Sequence, residues 1–123
     1  MVLGIGIDLV EVRQIRRAVA RDRGFLPEIL TETEIKRCRR SSSFLPSSAT
    51  TFAAKEALFK ALGTGKRGKM SWHDIEVTHR PPGVVLSGAT KKRAEELGVS
   101  GIHVAVTSKN ERAAAVVVLE DSK

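Results

Sequence analysis

The stretch Val2-Leu3-Gly4-Ile5-Gly6-Ile7-Asp8 decides the fold. Val2 to Ile7 reads as a buried strand, and Gly4 and Gly6 let a second backbone come close to it. The strand gives way at Asp8 to an amphipathic segment. From Leu9 to about Arg21 the period is helical: Val12, Ile15 and Val19 share one face, and Arg13, Arg17 and Arg21 recur at i, i+4 and i+8 on another. That arginine line faces either solvent or a partner.

A second stretch, Phe52-Ala53-Ala54-Lys55-Glu56-Ala57-Leu58-Phe59-Lys60, lies in a helix expected over about Ser48 to Leu62, rich in strong helix formers and stopped by Gly63. Glu56 precedes Lys60 by one helical turn. On spacing alone, Asp8 serves either as a helix N-cap or as a metal ligand. Glu56 and Lys60 form either an ordinary ion pair, contributing about 0.2–0.5 kcal/mol, or part of a site. The functional reading requires both carboxylates to converge on one Mg²⁺, a hard ion that takes oxygen ligands and completes its shell with water and substrate phosphate.

Between and beyond these stretches the punctuation is clear. Gly24 and Pro27 interrupt the chain, and Thr31-Glu32-Thr33-Glu34 has the form of a capping box opening a short helix through Cys38. The serine-rich run Ser41 to Ser48, with Pro46, reads as a loop that caps the next helix. Asp74 to Thr78 alternates as a strand, Pro81-Pro82-Gly83 turns the chain, and Val84 to Leu86 forms another strand. Ala89 to Leu97 is a short helix closed by Gly98. Ile102, Val104 and Val106 alternate, and after a turn at Ser108 to Glu111 the run Ala113 to Leu119 is apolar enough for a central strand.

The 123 residues predict a single domain, 1–123, that buries roughly two-thirds of its unfolded surface. No apolar run approaches the ~20 residues of a membrane span and the start lacks a signal-peptide pattern, so a cytoplasmic protein is expected. A formal charge of +7 favours a polyanionic partner. With 4% aromatic residues and no Tyr, a base-stacking nucleic-acid surface is disfavoured. The lone Cys38 cannot form an internal disulfide, and no catalytic histidine motif accompanies it. His73, His79 and His103 have no metal-ligand spacing. Gly63-x-x-x-x-Gly68-Lys69 mimics a P-loop, but Met70 replaces the required hydroxyl residue and the order of elements is reversed. As a basic loop with Lys66, Arg67 and Lys69, the segment either touches phosphates or is a solvated turn.

Taken together, Gly4-Ile5-Gly6-Ile7-Asp8 followed by Val10-Glu11-Val12, and Phe52-Ala53-Ala54-Lys55-Glu56-Ala57 with Lys60, Ala61 and Gly63-Thr64-Gly65, resemble the two signatures of the small trimeric phosphopantetheinyl transferases of the holo-acyl-carrier-protein synthase type. The likeness runs nearly end to end, through Leu30-Thr31-x-x-Glu34-Ile35, Trp72-x-Asp74-Ile75-Glu76-Val77 and Leu86-Ser87-Gly88-Ala89. It implies transfer of 4′-phosphopantetheine from coenzyme A to a serine of an apo-acyl carrier protein in fatty acid or polyketide biosynthesis, with release of adenosine 3′,5′-bisphosphate. Asp8 and Glu56 would hold Mg²⁺ against the pyrophosphate, and Lys60 would contact phosphate. Either a metal-held water or a carboxylate would take the serine proton. Gly63 and Gly65 fall in the cofactor-binding signature. The helix bearing Arg13, Arg17 and Arg21 would meet the acidic recognition helix of the carrier.

Two positions depart from the family pattern. Thr51 stands where an arginine commonly helps bind coenzyme A, and Ser108 stands where the final turn commonly carries a histidine. An alternative reading is therefore a degenerate homologue that binds coenzyme A or an acidic partner without efficient turnover. The expected fold is α+β, the phosphopantetheinyl transferase fold. In it an antiparallel sheet of second-half strands and the N-terminal strand packs against the Ser48 to Leu62 helix and the arginine-bearing helix. The resemblance further implies a homotrimer with active sites between subunits.

Overall fold

A computed structural model describes residues 1–123. The chain runs β1 (Val2–Glu11), α1 (Val12–Arg21), α2 (Phe25–Ile29), α3 (Glu32–Arg40), α4 (Phe44–Ala61), a 3-10 turn (Trp72–Asp74), β2 (Ile75–Thr78), β3 (Gly83–Leu86), α5 (Gly88–Leu97), β4 (Gly101–Lys109) and β5 (Arg112–Glu120). The expected α+β class is what the chain adopts. β1, β5 and β4 form an antiparallel sheet in that order, and β2 pairs with β3 in a separate antiparallel hairpin. The apolar run of β5 is central, as its composition predicts. Ala113, Ala115, Val117 and Leu119 turn inward and are buried.

α4 lies across this sheet and is the core's main column. Ala49, Ala53, Ala54, Ala57, Leu58 and Phe59 are all buried. Its small residues let β1 approach at backbone distance. A Cβ added at Gly6 would lie 1.8 Å from the Ala57 carbonyl oxygen, and one at Gly4 would lie 2.1 Å from that of Ala61. Both glycines are therefore dictated by contact with a helix. α1 packs its Val12 and Ile15 face into the core and leaves its arginines exposed.

Two boundaries differ most from the sequence reading, which also lacks α2, the 3-10 turn and the last two residues of α3. β1 continues through Asp8 to Glu11, so the helix starts at Val12 and not at Leu9. Pairing explains the difference: Asp8, Leu9, Val10 and Glu11 sit opposite Ala115, Ala114, Ala113 and Arg112. Asp8 is thus a strand residue, and the N-cap alternative falls. α4 starts at Phe44 and not at Ser48. Pro46 falls in its first turn, where a missing N–H costs no intrahelical bond. The Thr31 box is present as expected, with the Thr31 Oγ1 accepting from the Glu34 amide at 3.1 Å and the Glu34 carboxylate accepting from the Thr31 amide at 2.7 Å.

Glu34 also belongs to a buried ion pair. Lys55, fully enclosed, reaches Glu34 Oε1 at 2.6 Å and donates to the carbonyls of Ile29 at 2.8 Å and Trp72 at 3.1 Å. Glu34 Oε2 accepts from the Val77 amide at 2.7 Å. One lysine thus ties α4 to the end of α2, to α3 and to the 3-10 turn, and its partner extends the tie to β2. Burial lowers the Lys55 pKa and the Glu34 charge opposes this.

The close approach of β1 to α4 makes a direct prediction. Gly6→Ala should destabilise the fold by more than about 3 kcal/mol, the upper range for overpacking a core, because backbone and not a movable side chain stands in the way. Equilibrium urea unfolding measures it, and a loss below about 1 kcal/mol would show that α4 can move aside.

Candidate active site

β1 is an edge strand of its sheet, and alternation sends Gly4, Gly6, Asp8 and Val10 toward α4 while Ile5, Ile7 and Leu9 point the other way. Because the glycines draw β1 against the last turns of α4, Asp8 meets the side chains that α4 presents there. Lys60 Nζ lies 2.7 Å from Asp8 Oδ1 and donates to the Ile7 carbonyl at 3.3 Å. The Asp8 side chain is 14% exposed and that of Lys60 52%. Asp8 is thus anchored in the wall, while the ammonium stands at the surface.

Glu56 completes the cluster, but not as the helical ion pair that spacing allows. Lys60 pairs with Asp8, and no hydrogen bond or ion pair engages the Glu56 carboxylate. Burial pushes the Glu56 carboxyl above the usual carboxylate value, the Asp8 charge pushes it further, and Lys60 opposes both. The hydrogen bond to Asp8 holds the Lys60 ammonium above its usual range, and the Asp8 and Glu56 charges add to this. Glu56, whose ionisation burial and the Asp8 charge both oppose, lies beside that second carboxylate and one ammonium, an arrangement that gains from a further cation.

The donor set suits a hard divalent ion. It consists of carboxylate oxygens, with no histidine or thiol, and two side-chain ligands leave most of an octahedral shell to water and phosphate, as Mg²⁺ prefers. Gly63 and Gly65 begin the loop that follows Lys60. Both take left-handed conformations, φ 80° and 63°, and their amides donate to the carbonyls of Lys60 and Phe59. Farther along that loop, Lys66 sits over the Trp72 ring, 5.9 Å from its centroid.

The remaining singled-out residues lie elsewhere. Ser108 lines a cavity of about 360 Å³ between the start of α4 and the β4–β5 turn, together with Ser43, Ser47, Lys109 and Arg112. Glu11, three strand positions and hence about 10 Å beyond Asp8, pairs across the sheet with Arg112 of this cavity. Thr51 is buried, and its hydroxyl donates to the Ser47 carbonyl at 2.8 Å while accepting from Arg37 Nη2 at 2.9 Å. Arg37, fixed further by the Val77 carbonyl at 2.7 Å, is a residue that the sequence reading passed over. Its only signal was the basic run Lys36-Arg37-Cys38-Arg39-Arg40. Cys38 itself is buried. Arg13 is paired with Glu11 at 2.8 Å, whereas Arg17 and Arg21 make no ion pair. His73 and His103 hydrogen-bond to the Pro27 carbonyl and to Glu120.

Known proteins are similar to this chain over nearly its whole length. The model of the 4′-phosphopantetheinyl transferase superfamily matches residues 4–117. A holo-[acyl-carrier-protein] synthase of Koribacter versatilis is 43% identical over 126 residues, covering 98% of this chain and all of the relative. The crystal structure of holo-[acyl-carrier-protein] synthase from Neisseria meningitidis superposes with a TM-score of 0.90 at 33% identity, covering 98% of this chain and 100% of that one. The Helicobacter pylori enzyme, solved in complex with coenzyme A, superposes with a TM-score of 0.82 at 32% identity over 94% and 99%. Matched by the family model over residues 4–117 and by these relatives over nearly its whole length, this chain belongs to the 4′-phosphopantetheinyl transferase superfamily and is of the holo-acyl-carrier-protein synthase type.

Proposed function

We propose that the chain transfers 4′-phosphopantetheine from coenzyme A to a serine of an apo-acyl carrier protein, with Asp8, Glu56 and Lys60 as its catalytic centre. The observation that carries the assignment of these residues is the 2.7 Å contact between Lys60 and Asp8 beside a Glu56 carboxylate that has no protein partner. Asp8 and Glu56 would hold Mg²⁺. When bound, the ion supplies Lewis-acid stabilisation of charge growing on the pyrophosphate.

The serine oxygen attacks the phosphorus next to the pantetheine arm. A phosphorus–oxygen bond forms to serine, and the bond to the bridging oxygen breaks. The bridging oxygen leaves with its electron pair on adenosine 3′,5′-bisphosphate. Lys60, fully charged at neutral pH, stands where it can neutralise phosphate oxygens as this charge develops. The serine proton goes to a carboxylate oxygen of this cluster or to a water that the cluster holds. Gly63 and Gly65 shape the loop that borders the phosphates beyond Lys60. Ser108 and Thr51 border the far end of the cofactor's path, Thr51 through the guanidinium it holds.

A homotrimer would cover the outer face of the main sheet. Ile5, Ile7 and Leu9 are each 65% exposed on an edge strand, an apolar row that a second copy would cover. No helix is long and apolar enough to cross a membrane, and the proposed reaction is a cytoplasmic one.

The metal assignment is tested by Glu56→Gln. Because the Glu56 pKa is raised, the folded chain holds that proton more tightly than the unfolded chain. The resulting stability is full below the ordinary value of 4.5 and is lost as pH rises through the folded value. At neutral pH, therefore, Glu56→Gln should raise Tm in chelator while lowering transfer to the carrier by a hundredfold or more (~10²). Near-wild-type transfer, followed by mass spectrometry of the carrier, sinks the assignment.

Assembly and docking make two further predictions. Sedimentation should give three times the 13.4 kDa chain mass, and Ile7→Lys should reduce it to that of one chain. An unchanged mass for Ile7→Lys would place the interface elsewhere. Reversing Arg17 and Arg21 to Glu should raise KM for an acidic carrier with little change in kcat, and added salt should mimic the effect in the unmodified protein. A normal KM at low ionic strength would make that arginine line a solvated face.

A further inference from the structure

The hairpin between β4 and β5 turns on Asn110 and Glu111, both left-handed, with φ of 52° and 61°. Two-residue turns of this kind favour asparagine followed by glycine, because both positions require a positive φ. Asn110 fits that pattern. Glu111 does not, so the chain keeps a carboxylate where the turn prefers no side chain. A side chain kept against such a preference calls for a second role.

What holds Glu111 is α1. Its carbonyl accepts from the Val12 amide, the first of that helix, at 2.9 Å, and its carboxylate pairs with Arg16 at 2.9 Å. Glu11 pairs with Arg13 in the same way, at 2.8 Å. Glu111 is the only acidic residue lining the cavity of about 360 Å³ beside Ser108, whose cations Lys109 and Arg112 make no ion pair. A neighbouring space of about 200 Å³ is lined by Glu11, Arg13, Asn110, Glu111 and Arg112. Both acids at this end of the sheet are thus neutralised by arginines of α1, while the cavity's own cations stay free for an anion.

We propose that Arg16 masks Glu111 in the free chain, and that an acidic carrier docking on α1 takes over Arg16 and exposes the Glu111 carboxylate to the cofactor cavity. This rests on the proposed function, which puts the carrier on α1 and the far end of the cofactor beside Ser108. The unmasked charge repels phosphate groups in the cavity. Coenzyme A therefore loads best onto the free chain, and adenosine 3′,5′-bisphosphate leaves most easily while the carrier is still docked. The exchange is cheap, because the Arg16 and Glu111 side chains are 51% and 58% exposed and such a pair contributes little. The same exposure bounds the coupling at about two- to fivefold in affinity. By linkage, bound coenzyme A weakens carrier docking by the same factor.

Calorimetry on the full chain tests this, with coenzyme A titrated in the absence and presence of an apo-carrier whose acceptor serine is replaced by alanine. In the unmodified chain the docked carrier should weaken coenzyme A binding about two- to fivefold. Arg16→Gln should show the weaker affinity already without carrier. Glu111→Gln should bind coenzyme A no more weakly than the unmodified chain and lose the response to carrier, and the Arg16→Gln, Glu111→Gln double variant should match it. A pair that only props the turn would instead give both single variants the same loss. Glu111→Gly, which supplies the residue the turn favours, should hold or raise Tm while losing the carrier response.

A coenzyme A affinity indifferent to docked carrier, an Arg16→Gln chain that binds coenzyme A normally, or equal losses in the two single variants would each overturn the coupling and leave the proposed function standing. A carrier response retained in Glu111→Gln would overturn it as well. If neither coenzyme A nor the carrier binds the unmodified chain, the proposed function fails and the coupling with it.

Discussion

The approach of β1 to α4 at backbone distance is the constraint on which the rest of the structure depends. With carbonyls of α4 standing where side chains of residues 4 and 6 would be, strand and helix are locked in one lateral position and one register. Shifting the strand by one residue would drive Ile5 and Ile7 into α4 and throw Asp8 outward. The same contact that closes the core therefore sets Asp8 against Lys60, across 52 residues of sequence. The site needs no loop to assemble it. It is built on a strand and a helix, whose relative position is more exact than loops provide.

The buried pair of Lys55 and Glu34 fixes α4 from its other side. Such pairs add little net stability, because desolvating two charges offsets most of their attraction, but removing one partner costs about 3–5 kcal/mol. Here the ammonium also satisfies two carbonyls at the ends of α2 and the 3-10 turn, and the carboxylate satisfies the amides of Thr31 and Val77. Lys55 and Glu56 are adjacent, so about 100° of helical rotation separates them. One is fastened inside the protein, and that rotation leaves the other partly open toward Asp8. A helix held by its inner lysine cannot turn its outer glutamate away, so a structural ion pair orients a catalytic candidate.

Much of this was legible in the sequence, and the limits have physical causes. The glycines of β1, the Thr31 capping box, the central position of β5 and the strong helix formers of α4 are signals from local geometry, and local geometry carried them into the fold. The end of β1 was not legible, because Leu9, Val10 and Glu11 fit either a helical or an extended period until β5 supplies the pairing residues. The start of α4 was hidden by serines, which cap and interrupt helices but here lie within the first turns. In the candidate site, the sequence supplied the identities of Asp8, Glu56 and Lys60 but not that Lys60 turns to the strand in preference to its helical neighbour. Arg37 was invisible for the same reason: its meeting with Thr51 is tertiary, and no periodicity encodes it.

The outward face of β1 links assembly to chemistry. Asp8 and the exposed Ile7 and Leu9 are consecutive on one edge strand, so whatever covers the apolar row comes within one residue of the proposed catalytic carboxylate. A covering copy would exclude water from the strand that carries Asp8, and charges act more strongly where water is removed. It would also build a second wall for a ligand too long for the open surface of a single chain. The apolar face that a single chain leaves exposed and the carboxylates proposed to hold a cation thus lie back to back on one strand, so the proposed subunit contact and the proposed site share β1 as a common wall.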